Sequence, residues 1–419
     1  MRVLWITNIP FSHHNDMLGN PKKHLSSGSW LYAAYESAKK DKSCELHIAT
    51  VFKTENLISD VSEGVTFHIL PGNVDDYSPK STHNRTQWSH LNQIVNPDLI
   101  VLWGTESVFG YTALLEMSNV PAIVYIQGVV KTVVTHFKEG IPCSYRFNTL
   151  RDIINLVAPR KNPIAIYKQR QKTEENILKM VDGVIVENDW CIDQCRAINP
   201  KLKIYINKLP IRREFFERKW NLSKCERHTI FINAGGSPIK GHHILYEALG
   251  IVKKTHPDVK VYIPGSRYLD FYSHPLRKSG DMKYLEDLYN KYELSKNIVF
   301  TGTLNPEEMV SMLLKCNIFV MPSMVENHSS SLIEAMICGV PCISSLVGGV
   351  ANLITHKENG LIYNSLDAVS LAGCIIRLFE DEGLQTLISE NALKIRDLRK
   401  GDFGEELQEI YKAVLDYKK

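Results

Sequence analysis

The segment MPSMVENHSSSLIEAMICGVPCIS, residues 321–344, decides the predicted fold of this chain. An apolar run at 317–322 predicts a strand, and it leads into a loop that ends at three serines. Serine is a good N-cap, and the apolar residues spaced four apart after it predict an amphipathic helix. Gly339 ends this helix and Pro341 opens the next strand. The segment therefore has the pattern of strand, helix and strand that builds a parallel sheet.

Two carboxylates flank the start of that helix. Glu326 lies in the loop and Glu334 lies about one turn inside the helix. The free N–H groups and the positive dipole end near Ser329–Ser331 suit an anion such as a diphosphate. Eight helical residues span about 12 Å, so the two acids lie at the scale of a nucleotide. A carboxylate accepts hydrogen bonds from a vicinal diol, and this order of parts predicts a nucleotide-sugar site. A capping or solvated role is the alternative for either acid alone.

Length and composition indicate a globular protein of two domains. The chain has 419 residues, of which 44% are apolar and 23% are charged. No apolar run approaches the roughly 20 residues of a membrane span, and MRVLWITNIP is too short an apolar stretch for a secretion signal. The nine cysteines show no C-x2-C spacing. We therefore expect reduced thiols in a cytoplasmic protein.

Short apolar runs alternate with helical patterns along the chain, which predicts parallel sheets buried on both faces. The predicted strands are 2–7, 45–51, 65–70, 98–103, 122–127, 183–188, 229–234, 259–264, 297–302, 317–322 and 341–345. The clearest helical patterns are 242–254, 282–293 and 306–315. The fold class is therefore α/β, with two doubly wound, Rossmann-like domains facing each other across a cleft. Ligands in such sheets lie beyond the carboxyl ends of the strands.

The domain boundary is predicted within INKLPIRREFF, residues 206–216, where Pro210 and a charged run interrupt the pattern. We expect an N-terminal acceptor-binding domain over 1–208 and a C-terminal donor domain over 209–400. The remaining residues, 401–419, are expected to form a helix that crosses back to the N-terminal domain.

The segment 321–344 resembles the E-x7-E signature of retaining GT-B glycosyltransferases, specifically the family GT4. The resemblance continues in GGSPIKGHHILYEAL (235–249), IVFTGTLNPEEMVSML (298–313) and SLVGGVANLITHKENGLIY (345–363). It implies the GT-B fold, cleavage of a nucleotide sugar and transfer of the sugar with retained anomeric configuration. It also implies that no metal and no cofactor is obligatory.

The resemblance assigns residues to the donor site. Lys240 aligns with the family lysine that contacts the donor diphosphate, and a compact ammonium suits a phosphate. An arginine usually stands five residues before that lysine, whereas this chain has Gly235, so that half of the basic clamp is absent and Arg267 or another cation could take its place. The expected donor-sugar residues are Glu326, Asn327, His328 and Gln127. The expected diphosphate contacts besides Lys240 are Gly28, Ser330, Ser331 and Leu332.

Several of these assignments have a plain structural alternative. Gly28, in SSGSWL at 26–31, occupies the place of the family's glycine-rich loop, but an ordinary turn explains it equally well. Gln127 stands where many GT4 enzymes have a histidine, and it could instead make a structural hydrogen bond. Glu334 is expected to hold the ribose. The base is expected at backbone groups of Thr301, Gly302, Thr303 and Leu304.

Two further groups of residues concern the acceptor and the membrane. Thr105 and Glu106 end a predicted strand and are assigned to the acceptor, with a helix-capping pair as the alternative.

Residues 131–172 carry nine Lys/Arg and two acids, a net charge of +7. Within them, RFNTLRDIINLVA (146–158) places Phe147, Leu150, Ile153, Ile154 and Val157 on one helical face. A basic, amphipathic segment predicts docking on an anionic leaflet, and a core-facing helix with a solvated basic face is the alternative. The predicted membrane patch is Arg146, Arg151, Arg160 and Lys161.

The sequence thus predicts a metal-independent glycosyltransferase at the inner face of a membrane. The expected donor is a UDP-linked hexose or N-acetylhexosamine, and the expected acceptor is a saccharide or lipid-linked saccharide of a surface polysaccharide or glycolipid. Another GT-B enzyme, such as a nucleotide-sugar epimerase, and a catalytically silent partner subunit are the rivals. Nucleic acid is a poor candidate, because the basic segment lacks interleaved aromatics in a recognisable motif.

Overall fold

The computed structural model describes residues 1–19, 29–41, 43–72, 82–157, 162–232, 235, 237–265, 274, 276–399 and 401–418. The chain divides into two compact units. The first unit contains Met1–Val134, Ile166–Pro210 and Gly401–Lys419, and the second contains Thr135–Ala165 and Ile211–Lys400. The division at Pro210 lies two residues beyond the predicted boundary. Residues 135–165 differ from the predicted domain ranges, because they pack within the second unit.

The sheet of the first unit has the order β3-β4-β2-β1-β5-β6-β7-β8. Its strands are β1 Arg2–Thr7, β2 Glu45–Phe52, β3 Ile58–Ser62, β4 Val65–Pro71, β5 Leu99–Trp103, β6 Ala122–Tyr125, β7 Gly183–Val186 and β8 Lys203–Ile206. Among the described strands of this sheet, β3 and β4 pair antiparallel and the other neighbours pair parallel. The strand order reverses at β1, which pairs with β2 on one side and β5 on the other. Such a reversal creates the crevice in which doubly wound sheets bind ligands.

The helices up to residue 198 are α1 Ser12–Met17, α2 Ser29–Ala38, α3 Thr82–Val95, α4 Val108–Glu116, α5 Val130–His136, α6 Leu150–Val157, α7 Pro163–Met180 and α8 Asp189–Ile198. Of these, α6 belongs to the second unit. One apolar cluster of the first unit joins the sheet to α3, α4, α7 and α8. A second cluster, on the other face of the sheet, includes α2 and residues 403–414 near the C terminus. The Trp5 indole N–H donates to the Tyr411 hydroxyl at 2.9 Å, so that segment packs on β1.

The sheet of the second unit has the order β11-β10-β9-β12-β13-β14, and its described neighbours all pair parallel. Its strands are β9 Glu226–Ile232, β10 Lys260–Pro264, β11 Ile298–Gly302, β12 Cys316–Met321, β13 Cys342–Ser345 and β14 Leu361–Tyr363. The later helices are α9 Glu214–Glu217, α10 His242–Val252, α11 Gly280–Lys291, α12 Pro306–Lys315, α13 Ser330–Cys338, α14 Ala368–Glu380, α15 Glu382–Ala392 and α16 Phe403–Lys418, the last of which lies in the first unit. Apolar clusters cover both faces of this sheet as well.

The predicted pair of doubly wound α/β units is confirmed. Continuous apolar strands such as LIVLW at 99–103 are buried at every position, as expected of parallel strands covered on both faces. Among the helices that the structure describes, none combines the length and hydropathy needed to cross a membrane.

Candidate functional site

Three loops of the second unit meet at the carboxyl edge of its sheet. They follow β9, β12 and β13, which are adjacent strands. The Met324 N–H donates to the Ile239 carbonyl at 2.7 Å, which joins the loop after β12 to the short 3-10 turn Pro238–Lys240. The Gly349 N–H donates to the Glu326 carbonyl at 3.2 Å, which joins the same loop to the turn after β13. These contacts bring three separate sequence motifs into one cluster.

Two glycines permit this close approach. Gly241 has φ +69 and Gly348 has φ +50, a region that other residues rarely adopt. A Cβ on Gly241 would overlap the carbonyl oxygen of Pro322, and a Cβ on Gly348 would overlap that of Glu326. Only glycine therefore satisfies both the backbone conformation and the packing at these two positions.

The centre of the cluster is an ion pair between Glu326 and Lys240. One oxygen of Glu326 accepts from the Lys240 ammonium at 2.7 Å and from the Ser323 hydroxyl at 2.7 Å. The carboxylate is 13% exposed and the lysine side chain is 32% exposed. The structure thus brings together the two residues that the sequence assigned to donor sugar and diphosphate. An ammonium has three N–H donors, and this pair uses one of them.

The N-terminus of α13 follows directly from this loop. Ser329 is its N-cap, and the Ser329 hydroxyl accepts from the Leu332 N–H at 3.4 Å. Ser330 and Ser331 form the first turn and are half-buried, whereas the Leu332 side chain is in the core. The first N–H groups of a helix have no partner within the helix, so this turn can bind an anion. The Leu332 N–H is already bonded to Ser329, which leaves Ser330 and Ser331 as the stronger diphosphate predictions.

Glu334 lies inside α13 and pairs with Arg212. The Arg212 guanidinium donates from Nη2 at 2.7 Å and from Nε at 3.2 Å to one oxygen of Glu334. Burial raises the pKa of the Glu334 carboxyl, and the adjacent Arg212 opposes that rise. The sequence does not mark Arg212 as a site residue, because its segment, residues 206–216, predicts a domain boundary. The ribose contact of Glu334 stays a prediction, and Arg212 is a structural partner of the same carboxylate.

A further cation lies beside the other predicted sugar residues. His328 Nε2 accepts from the guanidinium of Arg399, and Asn327 is buried. Arg399 is more than seventy positions away in the sequence, and no local pattern marks it. The structure therefore adds two arginines, Arg212 and Arg399, to the neighbourhood of α13.

The structure explains why no arginine stands at position 235. A Cβ on Gly235 would overlap the imidazole of His242, the first residue of α10. His242 is 2% exposed, so its ring occupies the buried space that a side chain at 235 would need. An arginine at position 235, the missing half of the predicted basic clamp, would therefore clash with the ring of His242.

The predicted base site lies at the edge strand β11. The Gly265 N–H donates to the Gly302 carbonyl at 2.7 Å, and the Gly302 N–H donates back at 3.2 Å. Thr303 is exposed and Leu304 packs against the core. Since both backbone groups of Gly302 are used, the base prediction rests on the backbone of Thr301, Thr303 and Leu304.

A second polar group lies at the carboxyl edge of the first unit's sheet. Asn8, Glu106 and Gln127 follow β1, β5 and β6, which are adjacent strands. The Asn8 amide donates to the Glu106 carboxylate. Burial raises the pKa of Glu106, while Arg170 and the hydrogen bond from Asn8 favour the ionised form. The sequence predicted Glu106 and Gln127 but missed Asn8, although it directly follows the first strand.

Thr105 has a structural role within the first unit. Its hydroxyl is fully buried and donates to Glu174 at 2.7 Å. Glu174 also accepts from the Val130 N–H at 3.0 Å and the Lys131 N–H at 3.3 Å, at the N-terminus of α5. The Thr105 hydroxyl is thus used in fixing Glu174, and the assignment of Thr105 and Glu106 to the acceptor stays a prediction.

Four predicted residues, Gly28, Arg160, Lys161 and Arg267, lie outside the described residues. Within the part of the chain that the structure describes, no group of three or more His, Cys, Asp or Glu side chains is arranged to hold a metal ion. Arg146 precedes α6 and Arg151 lies in its first turn, both in the second unit.

Sequence comparison matches residues 212–395 to a family described as glycosyl transferases group 1. An uncharacterised glycosyltransferase of Methanocaldococcus jannaschii is 30% identical over 180 residues, which are 42% of this chain and 43% of that protein. The chain thus spans less than half the length of the curated relatives that it matches.

Comparison of folds extends over the whole chain. A sucrose-phosphate synthase from Thermosynechococcus elongatus superposes with a TM-score of 0.72 at 17% identity, covering 100% of both chains. HepE of Anabaena, in complex with UDP-glucose, superposes with a TM-score of 0.67 at 14% identity, covering 99% of this chain and 100% of that one. The chain accordingly has the GT-B fold.

Proposed function

We propose that this protein is a retaining glycosyltransferase that moves a hexose or N-acetylhexosamine from a UDP-linked donor to a saccharide or lipid-linked saccharide. The observation that carries the proposal is the Lys240–Glu326 pair, held at 2.7 Å in the loop that leads into α13. A lysine, a carboxylate and a helix N-terminus together suit a negatively charged diphosphate joined to a sugar with hydroxyl donors.

The donor site of the second unit divides by chemistry. The Lys240 ammonium and the first turn of α13, with Ser330 and Ser331, bind the diphosphate. Glu326, an acceptor of hydrogen bonds, binds hydroxyl groups of the donor sugar, with Asn327 and His328 beside it. Glu334, about one turn inside α13, binds the ribose diol. The Ser323 hydroxyl, which donates to Glu326 at 2.7 Å, holds this carboxylate in place.

Transfer breaks the bond between the anomeric carbon and the diphosphate oxygen. The bonding electrons leave with the phosphate, and the anomeric carbon passes through an oxocarbenium-like state. An acceptor hydroxyl then bonds to that carbon on the face the phosphate left, and its proton goes to the departing phosphate oxygen. Lys240 and the α13 N-terminus stabilise the charge that develops on the leaving diphosphate.

The acceptor is assigned to the first unit. Glu106 accepts from Asn8, and the two residues follow adjacent strands. Carboxylate and amide groups in this arrangement bind hydroxyl groups, which supports a saccharide as the acceptor. UDP as the nucleotide is supported by the fold neighbour whose complex contains UDP-glucose.

A donor panel tests the proposal. The protein is incubated with UDP-glucose, UDP-galactose, UDP-N-acetylglucosamine, UDP-N-acetylgalactosamine, GDP-mannose and ADP-glucose, and release of nucleoside diphosphate is measured. We expect slow hydrolysis of one UDP-sugar, with the α-anomer of the sugar formed first in NMR spectra. Lys240→Met should abolish it, and EDTA should leave it unchanged.

The panel also separates the rivals. Release of the β-anomer from an α-linked donor would contradict retention, and loss of turnover in EDTA that Mn²⁺ or Mg²⁺ restores would contradict a metal-independent site. Conversion of the donor into its epimer would identify an epimerase. A protein that binds the donor but neither hydrolyses it nor transfers its sugar to a saccharide would be a silent partner subunit. Gly235 favours that outcome, because the family's arginine is absent there.

A further inference from the structure

The helix α6 is amphipathic in the reverse of the usual sense. Five large apolar side chains in and just before it, which we name the α6 face, are more than half exposed, from 52% for Ile153 to 77% for Val157. The α6 face consists of Phe147, Leu150, Ile153, Leu156 and Val157. Leu156 takes the place that the sequence analysis gave to Ile154, which is half-buried. Surface helices of globular proteins normally bury their apolar side, so this arrangement needs an explanation.

The polar side of α6 is fixed by buried contacts within the second unit. Asp152 is 3% exposed and accepts from the Thr149 hydroxyl at 2.8 Å and the Gly280 N–H at 3.0 Å. Lys138 lies 3.8 Å from the other oxygen of Asp152. These bonds hold the helix against the start of α11 with its charged residue inward.

The segment before α6 is also fixed, so the exposed face is not a loose end. The Tyr145 hydroxyl donates to Asp287 at 2.8 Å, and the Tyr145 ring packs against Tyr284 at 4.9 Å between centroids. A Cβ on Gly280 would overlap the carbonyl oxygen of Tyr145, so the backbones are in close contact. The orientation of α6, apolar side outward, is therefore built into the unit.

The charge around the α6 face is positive. Arg146 is exposed and Arg151 is half-buried, while both acids of the segment are engaged: Asp152 inside the unit and Glu139 with His136. Residues 135–165 carry five Lys/Arg and two acids, so their net charge of +3 equals that of the whole chain and the rest sums to zero. Apolar side chains rimmed by arginines match an anionic lipid interface, where the rings and chains enter the headgroup boundary and the guanidiniums meet phosphates.

We propose that the α6 face docks this protein on an anionic lipid bilayer. The α6 face enters the interface, and Arg146 and Arg151 bind lipid phosphates. Large contiguous apolar patches are rare on proteins that act alone in water. Docking requires no assumption about the donor or the reaction, so the docking proposal is tested independently of the proposed function.

Flotation of the full chain with vesicles tests the docking. We expect binding to phosphatidylcholine vesicles that contain phosphatidylglycerol, and little binding to phosphatidylcholine alone. Raising the salt from about 0.1 M to about 1 M shortens the Debye length from about 10 to about 3 Å and should weaken binding. Arg146→Gln and Arg151→Gln should each reduce binding roughly fivefold at low salt.

The apolar contribution has a matched control. The triple variant Leu150→Gln, Ile153→Gln and Leu156→Gln keeps helix-forming residues and should reduce the partition coefficient at least tenfold. The control variant Val369→Gln, Leu387→Gln and Leu398→Gln changes three exposed apolar residues of other helices in the same unit and should bind as wild type. Circular dichroism and Tm show that each variant is folded.

Three results would overturn the proposal. Wild-type protein that does not float with acidic vesicles excludes lipid docking. An α6 triple variant that floats as well as wild type removes the α6 face from the contact. A wild-type dimer in sedimentation velocity that the α6 triple variant dissociates, without flotation of either, assigns the face to a contact between copies of this chain.

Discussion

Glu334 is a buried carboxylate that pairs with Arg212 and is also the predicted ribose ligand. The Arg212 guanidinium compensates the charge of Glu334, whose side chain is only 8% exposed. Removing one partner of a buried pair typically costs about 3–5 kcal/mol of stability, because the other charge is left uncompensated. Ribose binding and fold stability must therefore be measured separately for this residue.

Glu334→Ala should weaken binding of UDP by roughly ten- to hundred-fold, since the loss of a charged hydrogen bond costs about 1.5–3 kcal/mol. Calorimetric titration of UDP into the folded variant measures this affinity, and thermal unfolding measures its stability. Arg212→Ala should lower Tm comparably but weaken UDP binding less, because Arg212 has no assigned contact with the nucleotide.

The neighbouring Arg213 offers a matched control, since its side chain is 91% exposed. Arg213→Ala should change neither UDP affinity nor Tm. Equal UDP affinity in wild type and Glu334→Ala, with both folded, would assign Glu334 to structure alone.

Gly235 and His242 compete for one space, so their substitutions should be coupled. Gly235→Ala should lower Tm, because the new Cβ overlaps the buried imidazole. The same substitution in a His242→Ala background should cost less, because the smaller side chain leaves room for the Cβ. A double-mutant cycle by thermal unfolding measures this coupling, and additive effects of the two substitutions would show that the ring does not occupy the space of a residue-235 side chain.

At the scale of elements, the turn Pro238–Lys240 depends on the glycine that follows it. Gly241→Ala adds strain at φ +69 and forces the turn away from the loop at Pro322. Because that movement separates Lys240 from Glu326, we expect both a lower Tm and at least tenfold weaker UDP binding. Calorimetry at a temperature where the variant is folded measures the second effect.

Gly64 is a control for the backbone strain alone. It has φ +80, and nothing lies within 4 Å of a Cβ placed on it. Gly64→Ala should lower Tm modestly and leave UDP binding unchanged. A Gly241→Ala variant with wild-type UDP affinity would mean that the turn does not position Lys240 for the diphosphate.

Most elements were predictable because parallel strands carry continuous apolar runs. The strands β1, β5 and β12 begin and end within one residue of their predicted limits. The strands that escaped prediction were β3, β8 and β14, of three to five residues, which lie at sheet edges. Edge strands bury less of their surface, so sequences such as ISDVS lack the apolar run that marks a central strand.

The site was predictable only where its residues share a local motif. Glu326, Lys240 and the start of α13 lie in segments with recognisable spacing, and the structure brings Glu326 and Lys240 together. Arg212 and Arg399 are contributed by distant segments, and long-range contacts between side chains leave no periodic pattern in the sequence. Leu156 was missed for another reason, since helical spacing gives a face but not whether that face is buried.

For the molecule as a whole, two buried histidines of the first unit predict acid lability. Burial lowers the pKa of His14 from 6.5 to about 3 and that of His68 to about 4. Both are neutral in the folded state at pH 6, whereas the unfolded chain binds protons near pH 6.5. Stability is therefore fully present above pH 6.5 and falls as the pH drops toward 4, by up to about 1.4 kcal/mol per pH unit for each histidine.

Thermal unfolding at a series of pH values measures this loss. His68→Gln should flatten the dependence between pH 6.5 and 4, whatever it does to the stability at pH 7. His90→Gln, at an exposed position, should leave the dependence unchanged. An unaltered slope in His68→Gln would show that proton uptake at this residue does not drive the acid lability.

Lys240 and Glu326 form the proposed site for the diphosphate of a nucleotide sugar. Calorimetric titration of UDP into wild type, Lys240→Met and the control Lys254→Met, an exposed lysine of the same unit, tests it most directly. We expect wild type and the control to bind UDP equally, and Lys240→Met to bind UDP about ten- to hundred-fold more weakly while remaining folded. UDP binding of equal strength in all three proteins, or in none of them, would contradict it.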